Sequence, residues 1–303
     1  MRALVSSAHA LTLGIAVAAC SPSVGVGDEC SRTEPCDEGI CNLSGPGTPV
    51  CIDKEGDLDG DGIPNKSDFC NQKAGGQFDE DGDGLGDDCD PCPIAPPPAK
   101  PDTDTDGIDA PCDPDPDLDG NRIVLYDGFN GALPSNAIKM GGAWEARGGE
   151  AIVTTTDPNM DATLTVPLAL TSRHLAVQAS YRIDRVDAAA ATNLTGVVSV
   201  QRLPLGVKAV ACAGSRSGGM DTLIITSDAG SASKPFTSLF ATTGLYKIAQ
   251  RIENANGACA MSANTEEGGV TVTTAGETLT EAGLMARGVD AKFQYVLIVQ
   301  RPN

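Results

Sequence analysis

The stretch DEDGDGLGD at residues 79–87 has aspartate at its first, third and fifth positions and glycine at its sixth. It has counterparts in DLDGDGIPN (57–65) and DTDTDGIDA (102–110). Alternating carboxylates at loop positions 1, 3 and 5 supply the hard oxygen ligands that Ca²⁺ prefers. Glycine at position 6 permits a sharp turn, and the carbonyl group of position 7 adds a main-chain oxygen. The pattern therefore predicts three calcium-binding loops.

An EF-hand fits these loops poorly. That motif ends with a bidentate Glu at position 12 and lies between two helices. Position 12 is here Asp68, Asp90 and Asp113. Cysteines and prolines flank the loops, which argues against a helix on each side.

The run DFCNQKAGGQFDEDGDGLGDDCDPCP and its continuation CPIAPPPAKPDTDTDGIDAPCD resemble thrombospondin type 3 repeats. In that family an irregular chain wraps around a row of calcium ions, and disulfides join neighbouring repeats. The resemblance implies the pairs Cys70–Cys89 and Cys92–Cys112. It implies metal ligands in each loop, with a main-chain carbonyl at position 7: Asp57, Asp59, Asp61, Ile63, Asn65 and Asp68; Asp79, Asp81, Asp83, Leu85, Asp87 and Asp90; Asp102, Asp104, Asp106, Ile108 and Asp113.

The third loop departs from the family pattern. Its position 9 is Ala110, and the acidic residue has moved to Asp109. We therefore expect a weaker or differently shaped site there. The following residues Asp115, Asp117 and Asp119 look like a truncated fourth repeat.

The alternative for this segment is a disordered acidic linker. Between residues 57 and 119 there are 19 acidic residues and 3 lysines, so the segment carries −16 of the net charge of −20. Like charges at this density repel one another and need counter-ions to become compact. The regular aspartate spacing and the cysteines favour calcium binding.

The chain begins with MRALVSSAHALTLGIAVAAC, which has the charged start, short apolar centre and small-residue exit of a secretory signal. The sequence Val17-Ala18-Ala19-Cys20 resembles a bacterial lipoprotein box. It implies cleavage of residues 1–19, a lipid on Cys20, a tether over 20–27 and, with Ser21 next, an outer-membrane location. The alternative is an ordinary cleaved signal followed by a chance cysteine.

Cysteine counting agrees with a disulfide-bonded protein outside the cytoplasm. There are 11 cysteines, and removing Cys20 leaves ten in even groups. A small knob over 28–53 contains four of them, which allow three pairings; Cys30–Cys41 with Cys36–Cys51 is the favoured one. A zinc site is the rival, but the knob has neither histidine nor CxxC pairs. We expect Cys212 and Cys259 to pair, because they lie on adjacent predicted strands.

The composition changes after Asp119, and short β-type segments separated by turn residues predict a domain over 122–303. The predicted strands are 123–126, 151–155, 162–166, 175–183, 196–201, 207–213, 222–226, 246–252, 259–263, 270–274 and 293–300. Many alternate, as in Val177, Ala179, Tyr181 and Ile183. The predicted fold class is therefore mostly β, with an antiparallel sandwich of jelly-roll type preceded by an irregular, calcium-wrapped and disulfide-linked repeat segment over 57–121.

Three features of this half are similar to the sandwiches of the concanavalin and laminin-G type: YDGFNG (126–131), Trp144 in GGAWEARGGEAIV, and GLMARGVDAKFQYVLIVQ (283–300). That resemblance implies that the last strand pairs near the first. It also implies that an aromatic residue, Phe293 or Tyr295, packs inward. A single tryptophan in this setting is more often a core residue than a platform for a sugar.

The sequence offers little for catalysis. The mature chain has one histidine, His174, and no GxSxG motif, so a Ser-His-Asp triad is not expected. The carboxylates considered for glycoside hydrolysis, Glu145, Glu150, Glu253 and Asp290, form no tight pair on one strand face. The prediction is that the protein is not an enzyme.

The resulting expectation is a calcium-binding, lipid-anchored surface protein. Calcium ions stiffen a spacer that presents the sandwich for adhesion or for binding a carbohydrate or protein. An extracytoplasmic glycan-active hydrolase with a calcium-binding linker and a purely structural spacer are the alternatives. Nucleic acid is excluded as a partner, because phosphate binding needs a basic surface and this chain carries −20.

Overall fold

The structure is a computed structural model that describes residues 24–44, 47–96, 102–263 and 266–302, without the side chain of Leu170. The predicted signal and the lipid site at Cys20 lie outside these residues. The strands are β1 (Ile40–Asn42), β2 (Val50–Ile52), β3 (Arg122–Asp127), β4 (Ile138–Met140), β5 (Ala143–Ala146), β6 (Ala151–Thr154), β7 (Ala162–Ser172), β8 (His174–Val186), β9 (Asn193–Leu203), β10 (Gly206–Ser217), β11 (Met220–Ser227), β12 (Gly230–Phe236), β13 (Tyr246–Glu253), β14 (Asn256–Ala263), β15 (Glu266–Thr273), β16 (Leu279–Arg287) and β17 (Val289–Arg301).

Among the described residues, the only helical element is a 3-10 turn at Asn65–Ser67. None of these residues belongs to a helix of the length and apolar character that a membrane span requires. Residues 53–96 and 102–121, the described part of the segment between β2 and β3, contain no strand, which agrees with the predicted irregular character of the Asp-rich repeats.

Strands β3 to β17 form two antiparallel sheets packed face to face. The eight-stranded sheet has the order β15-β14-β13-β8-β17-β6-β5, with β3 paired to β17 beside this path. The seven-stranded sheet has the order β12-β11-β10-β9-β16-β7-β4. The predicted antiparallel sandwich is confirmed, and so is the pairing of the last strand with the first strand of the domain.

The core lies between the sheets and follows the period-two pattern of β8. Val177, Ala179, Tyr181 and Ile183 are all fully buried on its inner face. Phe293 of β17 packs against Tyr181 with ring centroids 5.4 Å apart. Burying these large side chains supplies the main stabilising contribution of the sandwich, at about 1.5–3 kcal/mol for each one.

An irregularity in β17 decides where its two aromatic residues point. The register of β17 on β8 shifts between Phe293 and Tyr295, which pair with Tyr181 and Ser180. The extra residue places Phe293 in the core, while Tyr295 packs on the outer face of the same sheet. Trp144 is also a core residue, 8% exposed and 6.0 Å from the Phe293 ring.

Four strands of the sandwich, β4, β5, β12 and β16, and the two short strands of the knob, β1 and β2, were not predicted. The omission of β16 matters most, because this strand lies between β7 and β9 in the seven-stranded sheet. Its sequence LTEAGLMAR has few β-branched residues and contains Gly283. A Cβ atom at Gly283 would lie 2.0 Å from the carbonyl oxygen of Leu164, so close backbone approach requires glycine there.

Five disulfides connect the cysteines in the expected pairs: Cys30–Cys41, Cys36–Cys51, Cys70–Cys89, Cys92–Cys112 and Cys212–Cys259. For the last pair, the predicted adjacency of the two strands is wrong, because they belong to different sheets. Cys212 lies on β10 of the seven-stranded sheet and Cys259 on β14 of the eight-stranded sheet. The bond therefore crosses the core and ties the two sheets together.

Candidate calcium-binding segment

The three aspartate-rich loops have one backbone conformation. In the first loop the Asp57 carboxylate accepts hydrogen bonds from the amides of Gly60 and Gly62 at 2.8 and 3.0 Å. In the second loop Asp79 accepts from Gly82 and Gly84 at 2.8 and 2.9 Å. In the third loop the same bonds join Asp102 to Thr105 and Gly107.

Glycine at position 6 serves this turn directly. Gly62, Gly84 and Gly107 all have φ between 91° and 95°, in the left-handed region that favours glycine. Position 4 of the third loop is Thr105, which has φ 71° where the other two loops have Gly60 and Gly82. Its conformation costs more free energy for a β-branched residue, so the third loop is the more strained one.

The carboxylates at positions 1, 3 and 5 converge in every loop. Within each loop the candidate ligand oxygens lie within 4.8 Å of one another; the three sets are Asp57, Asp59 and Asp61; Asp79, Asp81 and Asp83; and Asp102, Asp104 and Asp106. Convergent carboxylates at this separation repel one another unless a cation lies among them. The arrangement has the donor chemistry of a calcium site.

One carboxylate oxygen in each loop has no hydrogen-bond partner although it is buried. The atom is Oδ2 of the residue at position 3, namely Asp59, Asp81 and Asp104. The other oxygen of each carboxylate accepts an amide hydrogen bond from position 5. A buried carboxylate oxygen without a partner costs free energy, and a bound cation removes that cost. The residues present therefore fit calcium.

At position 12, Asp68 and Asp113 are buried and Asp90 is half-buried. Asp68 is 7% exposed and its Oδ2 is likewise buried without a partner. Burial raises the pKa of Asp113, and repulsion from the carboxylates of Asp106 and Asp104 raises it further. Burial also raises the pKa of Asp59, with repulsion from neighbours that include Asp68.

The third loop has alanine at position 9, and the neighbouring residue compensates for this change. The side chains of Asn65 and Asp87 each accept a hydrogen bond from the amide seven residues earlier, at 2.9 Å. In the third loop Asp109 accepts the equivalent bond from Asp102, at 3.0 Å. The acidic residue at position 8 therefore takes the place of the usual residue at position 9, and Ala110 takes no part.

Two carboxyl groups of the second loop hold protons unusually strongly when no cation is present. Burial raises the pKa of Asp87 to about 7, and the carboxylates of Glu80 and Asp79 add to this rise. Burial raises the pKa of Asp90 to about 7 as well, with added repulsion from Asp83. At neutral pH these groups are poised between the charged and the neutral form.

We expect the calcium-free second loop to be more stable at pH 5 than at pH 8. The folded pKa of Asp87 and Asp90, about 7, exceeds the unfolded value of about 3.9, so the folded state binds more protons between these limits and its stability falls as pH rises through them. Hydrogen exchange of the Gly86 and Cys89 amides in chelator, corrected for intrinsic rate, should show local opening at least tenfold rarer at pH 5. The double variant Asp87→Asn/Asp90→Asn should remove most of this pH dependence. If local opening in the variant depends on pH as it does in the unchanged chain, Asp87 and Asp90 are not its source.

The disulfide knob is attached to the second loop through an arginine. Arg32 donates hydrogen bonds to the carbonyl oxygen and to Oδ2 of Asp83, both at 2.7 Å. The equivalent outer oxygens of Asp61 and Asp106 accept backbone amides instead, from Gly75 and Asn121. This contact was not predicted, because nothing in the local sequence around Arg32 indicates which loop it reaches.

The third loop packs on the outer face of the eight-stranded sheet. The side chain of Ile108, at loop position 7, is 3% exposed. Its buried cluster comprises Cys92, Cys112, Ala176, Tyr295, Leu297 and Val299, with Ile94, Ala95, Ile123 and Tyr126 packed against it. In the first loop the corresponding Ile63 is only half-buried and lies outside this cluster. The end of the repeat segment is therefore part of the folded domain rather than a free spacer.

A charged cluster continues this contact. Asp115, at the start of the truncated fourth repeat, accepts a hydrogen bond from Arg301 at 2.8 Å and one from Arg251. Arg301 also reaches Glu253, at 3.2 Å. The Asp115 side chain is 20% exposed, so solvent screens these pairs less than it would screen fully exposed ones.

The single histidine of the sandwich belongs to this cluster. His174 Nδ1 lies 2.9 Å from Glu253 Oε2 and 3.0 Å from Arg301 Nη2. The nearby Ser172 hydroxyl donates to main-chain carbonyls of His174 and Arg301, not to the imidazole. These residues therefore do not have the nucleophile–base contact of a hydrolase triad.

The four carboxylates considered for glycoside hydrolysis lie in three parts of the sandwich. Asp290 is bound by Arg185 at 2.7 Å, and Glu253 lies in the cluster around Arg301. Glu145 is exposed on β5, close to Arg147. Glu150 lies just before β6. Glu145 and Glu150 lie on the two sides of the β5–β6 turn, where the Arg147 amide donates a hydrogen bond to the Glu150 carbonyl.

Comparison with known proteins concerns the sandwich. No family model matches the chain, and no curated protein matches it. Among solved structures, peanut lectin matches 59% of this chain and 97% of its own at 10% identity and a TM-score of 0.45. A xylan β-1,4-xylosidase from Bacillus halodurans C-125 matches 59% of this chain and 40% of its own, at 12% identity and a TM-score of 0.41. At these scores the likeness carries over neither ligand nor activity.

The prediction that the protein is not an enzyme is contradicted. Glycoside hydrolases occur among the solved structures with a similar sandwich; another is the GH43 BlXynB protein from Bacillus licheniformis, with 12% identity, a TM-score of 0.41, and coverage of 57% of this chain and 38% of that chain. A sandwich of this kind is thus no ground for excluding an enzyme, and we withdraw the exclusion.

Proposed function

We propose that the protein is a calcium-binding, lipid-anchored protein of the bacterial cell surface. The observation that supports calcium binding best is the buried, unpartnered carboxylate oxygen at position 3 of all three loops. A single acidic cluster is common on protein surfaces. The same atom left without a partner three times, in loops of one conformation, favours a shared ligand.

Each loop would hold its ion with residues of its own. Carboxylates at positions 1, 3, 5 and 12 and the position 7 carbonyl would supply the oxygens, and position 9, or Asp109 in the third loop, would orient the loop or reach the ion through water. Calcium would neutralise carboxylates that otherwise repel one another. Binding to the folded segment stabilises it by RT ln(1 + [L]/Kd), so even the weaker sites would be filled at millimolar extracellular calcium.

The sandwich would serve as the recognition part of the molecule, in adhesion or in binding a carbohydrate or protein. Calcium would order the chain from the knob to the third loop and keep that loop seated on the eight-stranded sheet. The part of the chain between the lipid on Cys20 and the sandwich would then have a fixed shape. Several acyl chains on Cys20 would hold the molecule at the membrane firmly, whereas one would hold it only marginally.

Calorimetric titration with calcium tests the proposal. The full chain with Cys20→Ser should bind at least one ion per loop saturably. Each of Asp59→Asn, Asp81→Asn and Asp104→Asn should weaken one site at least tenfold. Asp117→Asn is the matched control, because Asp117 is exposed and lies outside the three loops. Non-saturating binding, or equal titrations of Asp59→Asn and Asp117→Asn, would overturn the proposal in favour of an acidic linker.

A further inference from the structure

The outer face of the seven-stranded sheet does not alternate as a solvent-facing sheet should. An antiparallel strand with one wet face normally shows apolar residues inward and polar residues outward. In β9 every residue from 193 to 200 is buried. Val197 points into the core, yet its outward neighbours Leu194, Val198 and Val200 are only 8%, 4% and 6% exposed.

Neighbouring strands extend this apolar surface into a cavity of about 540 Å³. Small side chains of β10, Ala209, Ala211 and Ala213, form its floor beside β9. Met285 of β16 and Ile224 of β11 lie on either side. A cavity of this size and character is typical of small-molecule sites, which measure about 300–1,000 Å³ and are lined mainly by apolar groups.

The charges of the cavity lining are already paired. Arg287 makes two hydrogen bonds of 2.8 Å to Asp161. Arg202 is paired with Glu281, whose other oxygen accepts a hydrogen bond from Thr165 at 2.7 Å. Counted together with the buried Glu281 behind Arg202, the charges around the cavity therefore balance, in a chain whose net charge is −20. The cavity complements an uncharged ligand, because a charged one would be desolvated there without a partner.

The two ion pairs lie toward opposite ends of the cavity. Arg287 pairs in register with Leu194 near the start of β9, and Arg202 lies near its end. Eight residues of a strand span about 26 Å. Across the strands, the lining is contributed by β4, β7, β16, β9, β10 and β11. None of the described residues that line it is aromatic, so it offers no ring on which a sugar could stack.

We propose that this cavity binds a single uncharged aliphatic molecule, such as a free long-chain alcohol. The mainly apolar lining and the paired charges select that chemistry, and a volume of about 540 Å³ accommodates one such molecule. The opposite sheet shows the same preference within the molecule: Ile94 and Ile108 pack on its apolar outer face. The proposal is independent of calcium binding, since no residue of the three loops lines the cavity.

Fluorescence titration with the neutral dye N-phenyl-1-naphthylamine tests the site in the full chain carrying Cys20→Ser. The dye should bind saturably, and 1-dodecanol should displace it. Ala211→Phe fills the floor from the solvent side and should weaken dye binding at least tenfold. Ser233→Phe is the matched control, because Ser233 is exposed on β12 and does not line the cavity. Equal thermal midpoints would show that both variants fold.

Three outcomes would overturn the proposal: no saturable dye binding, equal binding by Ala211→Phe and the unchanged chain, or failure of dodecanol to compete. A vesicle arm separates free lipid from membrane lipid. Flotation with phosphatidylcholine vesicles that Ala211→Phe abolishes and dodecanol does not reduce would show a membrane-docking face and would likewise overturn the free-ligand proposal. Absence of flotation, together with dye displacement, supports it.

Discussion

Replacing both Cys212 and Cys259 with alanine is expected to lower the free energy of unfolding of the sandwich by about 4 kcal/mol. The cysteines are 47 residues apart in sequence and both are buried. In the loop-entropy description, a cross-link over that separation removes about 4 kcal/mol of freedom from the unfolded chain. Since this bond is a covalent link between the two sheets, its loss affects the whole sandwich rather than one hairpin.

Urea unfolding followed by the fluorescence of Trp144 measures the effect, because this residue is the only tryptophan and lies in the core. With a slope of about 2 kcal/mol per molar urea, the midpoint should fall by about 2 M. The control is Cys70→Ala/Cys89→Ala, which opens a cross-link over 19 residues in the repeat segment. That variant should leave the Trp144 midpoint nearly unchanged. An equal fall in both variants would contradict the assignment of the bond to the sandwich core.

The periodic strands of the sandwich could be predicted from the sequence because local pattern and burial agree in them. Strand β8 is the clear case, with its alternating residues all in the core. Strand β16 could not be predicted, since Gly283 and the surrounding small residues suit a position where two backbones approach closely. That requirement comes from the neighbouring strands β7 and β9, so it is not visible in the local sequence.

In the candidate calcium-binding segment, too, local features could be predicted and contacts between distant segments could not. The convergence of carboxylates within one loop could be predicted because the spacing of aspartates and glycine is a local property of the chain. Contacts between distant segments could not, and these include Arg32 on Asp83 and Asp115 between two arginines of the sandwich. The packing of the third loop on the sheet had one indication in the sequence. Ile108 is one of few aliphatic residues in a strongly acidic segment.

Changing Ile108 to alanine is expected to loosen the third loop from the sandwich by about 2–4 kcal/mol. The side chain is 3% exposed and packs in the cluster with Leu297 and Val299. Its truncation leaves a cavity where residues 102–110 contribute their one side chain to this cluster. Hydrogen exchange should report the change in the amides of Cys112 and Asp113, which both bond to the Asp109 carbonyl.

The matched control is Ile63→Ala, at the same position of the first loop. Ile63 is half-buried and outside the cluster, so its truncation should leave exchange at Cys112 and Asp113 unchanged. The carbonyl group at position 7 remains in both variants, so each keeps the main-chain oxygen that we propose as a calcium ligand. A weaker third site in Ile108→Ala alone would therefore mean that docking and calcium binding stabilise one another. If calcium affinity and exchange were the same in both variants, the packing of Ile108 would contribute nothing to holding the loop on the sheet.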